Sequence, residues 1–144
     1  MSLETDDEIA ATAHAMMACT LPKAAWTHAA HFAVALWLLQ DREAAAYADM
    51  PGLIRRYNES VGGRNTDTEG FHETITRASL DVAAAALAAR AGAPLHAVLA
   101  DMMAGPYGRS DWILTHWTRD VLFSVEARRA WVAPDLAPLL DQCR

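Results

Sequence analysis

The sequence predicts an all-α protein, a single helical domain spanning residues 1–144. Three observations carry that expectation. Alanine, the strongest helix former, crowds the chain and dominates residues 83–91. Alternation of Val, Ile and Thr on the strand period is nearly absent. Apolar side chains instead recur at three- and four-residue spacing, bounded by capping residues. With 53% hydrophobic and 21% charged residues, 144 residues suffice for one substantial core.

The first helix should start at Thr5, which forms a capping box with Glu8, and run through Ile9, Ala13, Met16 and Met17 toward Cys19. Leu21-Pro22 breaks it. Thr27 then caps a second helix, with Pro22 as an alternative earlier start. Between Ala29 and Leu39 this helix is apolar almost all round, so it is expected to be the buried central element, over about residues 28–40. Residues 41–51 read as a polar connection. A short helix follows from Leu53 to about Ser60, stopped by Gly62-Gly63. Asn65-Thr66 reads as a turn, and Thr66 with Glu69 as a second capping box. It should open a long helix over about residues 67–91, closed by Gly92. Pro94 opens another helix through Met103, and Gly105-Pro106 closes it. Ser110 or Asp111 caps a segment through Trp117, Ser124 a last short one containing Glu126, Arg128 and Trp131. The tail from Pro134 to Pro138 is irregular.

Charge and composition narrow the function. The formal net charge is −6, and no basic run exceeds Arg55-Arg56 and Arg128-Arg129. A surface that displaces phosphate counterions needs more, so nucleic acid is not an expected partner. The acidic N-terminus is unlike a secretory leader. The apolar run from Phe32 to Leu39 is far shorter than the roughly 20 residues of a membrane span. A soluble, cytoplasmic protein is expected. Cys19 and Cys143 lack metal-binding spacing, and a disulfide between them has no support beyond their presence. No glycine-rich phosphate loop is present. The partner expected is a small-molecule substrate, and homo-oligomer formation is compatible with the sequence.

The chemistry-bearing residues are histidines. His28 and His31, at i and i+3, project from one face of the second helix, with Cβ atoms about 5–6 Å apart. A polar ring beside so apolar a run needs a partner, and metal ligation supplies one. His72 would complete the set from the long helix. There Glu69 shares its face, while Glu73 points roughly 100° away. Only one Glu-x-x-His occurs, so a carboxylate-bridged di-iron bundle is disfavoured against a mononuclear site. His116, between Leu114 and Trp117, is a further candidate. Trp26 could wall a pocket, and Tyr57 and Asn58 could offer hydrogen bonds beside it. His14 and His96 stand alone on their helices and read as structural or exposed.

The blocks Trp26-Thr-His-Ala-Ala-His31, Ile54-Arg-Arg-Tyr-Asn-Glu-Ser-Val61, Asn65-Thr66, Phe71-His-Glu-Thr-Ile-Thr76 and Leu122-Phe-Ser-Val-Glu-Ala-Arg128 resemble a family of small bacterial all-helical proteins. Trp131-Val132 and Pro134-Asp-Leu136 extend the likeness, which spans residues 21–140. It implies a helical fold and a metal-binding site, with no reaction attached. It places Trp26, His28, His31, Asn58, His72, Glu73 and Thr76 inside motif blocks, and Glu69 between them.

The expectation is therefore a small metalloenzyme. His28, His31 and His72 would hold one divalent ion, with Glu73 as fourth ligand or catalytic base, and Trp26, Tyr57, Asn58 and His116 would bind substrate. Zinc comes first, and iron, nickel, manganese or copper suit the same donors. Two alternatives stand beside it. One is a metal-free enzyme using His72 and Glu73. The other is a non-catalytic interaction protein with core histidines and an apolar face on the Leu95–Met103 helix.

Overall fold

The computed structural model describes residues 2–140, and Cys143 lies outside them. Thr5 begins α1 (Asp6–Met17) as its spacing with Glu8 predicts. Thr5 Oγ1 accepts from the Glu8 amide at 3.1 Å, and the Glu8 carboxylate reaches back to the Glu4 amide at 3.2 Å. Pro22 starts only a 3-10 turn (Lys23–Ala25). The next helix, α2 (His28–Arg42), is capped by Thr27, whose hydroxyl accepts from Ala30 N–H at 3.2 Å.

The predicted burial of this second helix holds. Phe32, Ala33, Val34, Ala35, Leu36 and Leu38 are all closed to solvent, and α2 packs against α1, α3, α4 and α5. Each of those neighbours covers one stripe of it, so the apolar girdle is shared among four partners. Most of the buried apolar side chains form one contiguous cluster.

Three boundaries differ from the sequence reading. Helix α3 spans Ala45–Ser60 and carries Pro51 inside it. Proline there removes one amide and its hydrogen bond to Tyr47. Three alanines (Ala45, Ala46 and Ala48) and the burial of Ala46 and Met50 offset that loss. Helix α4 (Glu73–Ala89) starts later than Thr66. Gly70 lies at φ +82°, where the helix cannot continue, and a Cβ there would overlap the Arg64 carbonyl. Thr66 does accept from Glu69 N–H at 3.2 Å, but it closes a loop turn and not a helix. The segment expected through Trp117 is a 3-10 turn (Trp112–Thr115).

Helix α5 (Leu95–Ala104) turns Leu95, Val98, Leu99 and Met102 into the core, so the contact face considered for it is largely used internally. Two short helices close the chain: α6 (Arg119–Leu122), which the sequence reading missed, and α7 (Val125–Arg129). They are capped by Thr118 and Ser124. The tail then doubles back. Trp117 is fully buried and donates its indole N–H to Val132 at 2.9 Å, while Thr74 Oγ1 donates to Ala130 and accepts from Val132 N–H. Among the described residues no helix is long and apolar enough to cross a membrane.

Candidate functional site

The Thr27 cap fixes the first turn of α2, and with it the directions of His28 and His31. Just before it, Trp26 ends the 3-10 turn and lays its ring on His31, with centroids 3.9 Å apart and planes 30° from parallel. Tyr57 holds this segment from beneath. It is fully buried, its ring lies 5.3 Å from that of Trp26, and its hydroxyl donates to the Leu21 carbonyl at 3.0 Å. Tyr57 therefore positions the wall of the site and does not line the opening as the sequence reading expected.

The opening is a cleft of about 440 Å³ between the Lys23–His31 segment, the last turns of α3, the 63–72 loop and the start of α4. Trp26, Ile54, Val61, Phe71 and Ile75 give it apolar walls; Lys23, Asn58, Arg64 and Glu69 supply polar groups. Asn65 organises the loop. Its carboxamide oxygen accepts from Asn58 Nδ2 at 3.1 Å and from Phe71 N–H at 3.0 Å, and its nitrogen donates to the Arg55 carbonyl at 3.1 Å. Arg128, on α7, donates to the carbonyls of Gly70 and Phe71 at 3.0 and 3.3 Å and pins the other end.

His31 is the polar centre of this cleft. Its ring is open to solvent, yet protein surrounds it on most sides. Poor solvation, with His28 adding a smaller repulsion, lowers its pKa to about 4, the direction expected for a ring on a cleft floor. No hydrogen bond contributes to the shift, and the imidazole is neutral at physiological pH.

The remaining expected ligands are engaged elsewhere. His28 donates Nε2–H to the Tyr107 carbonyl at 2.7 Å. His72 is not on the face of a helix but is the N-cap of α4, buried at 5% exposure. Its Nδ1 accepts from Ile75 N–H at 3.1 Å, and its Nε2 donates to the Leu122 carbonyl at 2.6 Å. Both nitrogens are thus committed, and no lone pair is left for an ion. Burial also holds its pKa below the ordinary histidine value. Among the described residues no three His, Cys, Asp or Glu side chains converge as ligands. A three-imidazole metal centre does not fit this donor set.

Glu73 opens α4 and faces a different groove, of about 510 Å³, with Tyr47 and Arg77. Glu69, which the i, i+3 spacing offered as a co-ligand on the face of His72, lines the His31 cleft from a loop and shares no helix with His72. His116 faces a third cavity beside Tyr107 and Trp112, and donates Nδ1–H to the Pro138 carbonyl at 3.0 Å. The structure thus brings Trp26, His31, Asn58 and one edge of His72 to the cleft. It sets Tyr57 beneath, and Glu73 and His116 apart. Lys23 and Arg64 escaped the sequence reading, and Phe71 entered it only as part of a motif block, because a 3-10 turn and an irregular loop carry no periodicity.

No family model, curated protein or solved structure matches the chain.

Proposed function

We propose that the protein binds a small organic acid in the cleft floored by His31 and acts on it there. The observation that carries this reading is the His31 ring itself. It is a neutral imidazole, open to solvent, stacked on Trp26 and making no hydrogen bond that perturbs it. Such a ring can donate to a carbonyl or accept from a hydroxyl at the point where it meets a ligand. Lys23 and Arg64 against the single carboxylate of Glu69 leave one net positive charge on the lining, which suits a monoanion. The walls of Trp26, Ile54, Phe71 and Ile75 suit its carbon body.

A purely binding role is the second reading, and one observation favours it. An imidazole of such low basicity is a weak proton acceptor, and general-base catalysis is best served by a group titrating near the working pH. Both readings use the same cleft.

The test is a titration of the ¹⁵N-labelled protein with butanoate and, separately, butylamine. Butanoate should shift the Trp26 indole and the His31 ring, and butylamine should not. His31→Ala and the Lys23→Met/Arg64→Met pair should each weaken butanoate roughly tenfold, the scale of one charge-assisted hydrogen bond. Equal response to acid and amine, or full affinity in His31→Ala, would defeat the reading. Elemental analysis of tag-free protein reads the metal expectation directly. A stoichiometric ion that disappears in His31→Ala would replace this proposal by a metal centre.

A further inference from the structure

The His31 cleft has a back room. A second cavity of about 210 Å³ shares His31 and Ile75 with it as a dividing wall, and is lined on its far side by Phe32, Trp112 and Phe123. Phe32 and Trp112 are buried and both also pack against Tyr107, so they offer ring edges to the cavity, while Phe123 offers an exposed face. Phe32 and Trp112 stand 6.0 Å apart at 46°, and His28 meets Phe32 edge-on at 5.4 Å, an arrangement in which a further ring can stack or insert an edge. Phe123 lines the same space while remaining 51% exposed, a large apolar side chain that a bound ring would cover. An apolar cavity of roughly 150 Å³ already accommodates benzene, so this one has room for a single six-membered ring.

Charge sets the direction. The charged group lining the smaller cavity is the Asp111 carboxylate, which is paired with Arg109 at 3.1 Å, whereas Lys23 and Arg64 line the larger cleft. A ligand reaching both rooms would leave its acid group in the larger and carry its apolar end past His31 into the smaller.

We propose that the ligand is a short-chain carboxylic acid bearing one aromatic ring, with the ring in the cavity behind His31. This rests on the acid-binding reading of the cleft and adds the second compartment to it.

The experiment compares butanoate with 4-phenylbutanoate, which differ by the ring alone, in wild-type protein, Ser79→Leu and Phe123→Ala. Ser79 lines the smaller cavity, and its hydroxyl returns only to the Ile75 carbonyl of its own helix at 2.8 Å, so leucine there fills the cavity without breaking a tertiary bond. Phe123 is exposed, which keeps its truncation compatible with folding. The readout is the ratio of the two dissociation constants. In the wild type the ring should tighten binding about tenfold or more. In Ser79→Leu the ratio should fall to about one, and in Phe123→Ala it should fall by severalfold. A wild-type ratio near one would overturn the two-room ligand while butanoate binding still upheld the cleft. A high ratio unchanged in both variants would place the ring elsewhere and overturn it equally. Absence of any shift with either acid would remove the acid-binding reading, and this inference with it.

Discussion

His31 and His72 have the same side chain and opposite surroundings, and that difference decides what each can do. His72 has both ring nitrogens in hydrogen bonds of fixed sense: a lone pair facing the Ile75 amide, a proton facing the Leu122 carbonyl. Protonating it would aim an N–H at an N–H. Its lowered pKa means that below about pH 6.5 the unfolded chain takes up a proton that the folded chain refuses. The stabilisation is therefore complete above that pH and drains away as the pH falls toward the folded value. The thermal midpoint should fall between pH 7 and 5, and fall less in His72→Asn, which keeps a capping acceptor and loses the titration. Asp67 titrates below this window, but His31, whose pKa is also lowered, loses stabilisation within it, so the difference in slope between the wild type and His72→Asn is what reports His72. Equal slopes in the two proteins would show that His72 is not the group responsible. His31, neutral down to about pH 4, predicts a different profile. Butanoate affinity should stay flat from pH 8 to 5.5. A break near 6.5 would reveal an ordinary, well-solvated imidazole and weaken its standing as the cleft's polar centre.

At the scale of elements, the 63–72 loop makes the site and α4 carries it. Gly70 is the position where the chain needs a positive φ and the Arg64 carbonyl leaves no room for a Cβ. Gly70→Ala should cost about 1–3 kcal/mol in strain and, by shifting Arg64, weaken butanoate as well. Chemical denaturation and the butanoate titration on the same sample check both halves. Thr74 joins α4 to the tail through a hydroxyl that donates to Ala130 and accepts from Val132 N–H, at 2.9 and 3.1 Å. Thr74→Val preserves the shape and removes both bonds. The loss expected is roughly 1–3 kcal/mol, because the Val132 amide and Ala130 carbonyl lose their partner. A loss under half a kilocalorie would mean that water takes over the bonds. The same loop explains why the start of α4 was misread. Thr66 and Glu69 satisfy a capping-box spacing, but their bond closes a turn, and the left-handed Gly70 ends any helical path before His72 caps the real one.

On the scale of the whole molecule, the returning tail seals the core beneath α4. Trp117 is fully enclosed, packs edge-on against Trp131 at 5.7 Å and depends on the Val132 carbonyl for its indole hydrogen bond. A chain ending at Ala130 should lose about 3 kcal/mol or more, with the Trp117 indole N–H resonance moving as it loses the Val132 carbonyl. Unchanged stability and an unmoved Trp117 indole resonance would show that the tail is peripheral. The cleft also belongs to this scale, since its walls come from the Lys23–His31 segment, α3, the 63–72 loop and α4.

Local signals in the chain reach as far as elements and their caps. The all-helical class, the caps at Thr5, Thr27 and Ser124, and the burial of α2 follow from propensity, from hydroxyls placed three residues before an amide, and from an unbroken apolar surface. The place of Trp26 was legible in part, since its position before the histidine pair suggested a pocket wall and its ring does line a cleft beside His31. Which partners the polar groups find is settled by contacts between distant segments. Spacing places His72 near a possible ion but cannot show that the Leu122 carbonyl, brought from the far end of the chain, meets its second nitrogen. Nor can it bring Lys23 and Arg64 to one rim. A hydrogen bond between distant segments has no period in the sequence, and it is those bonds that separate a capping histidine from a free one.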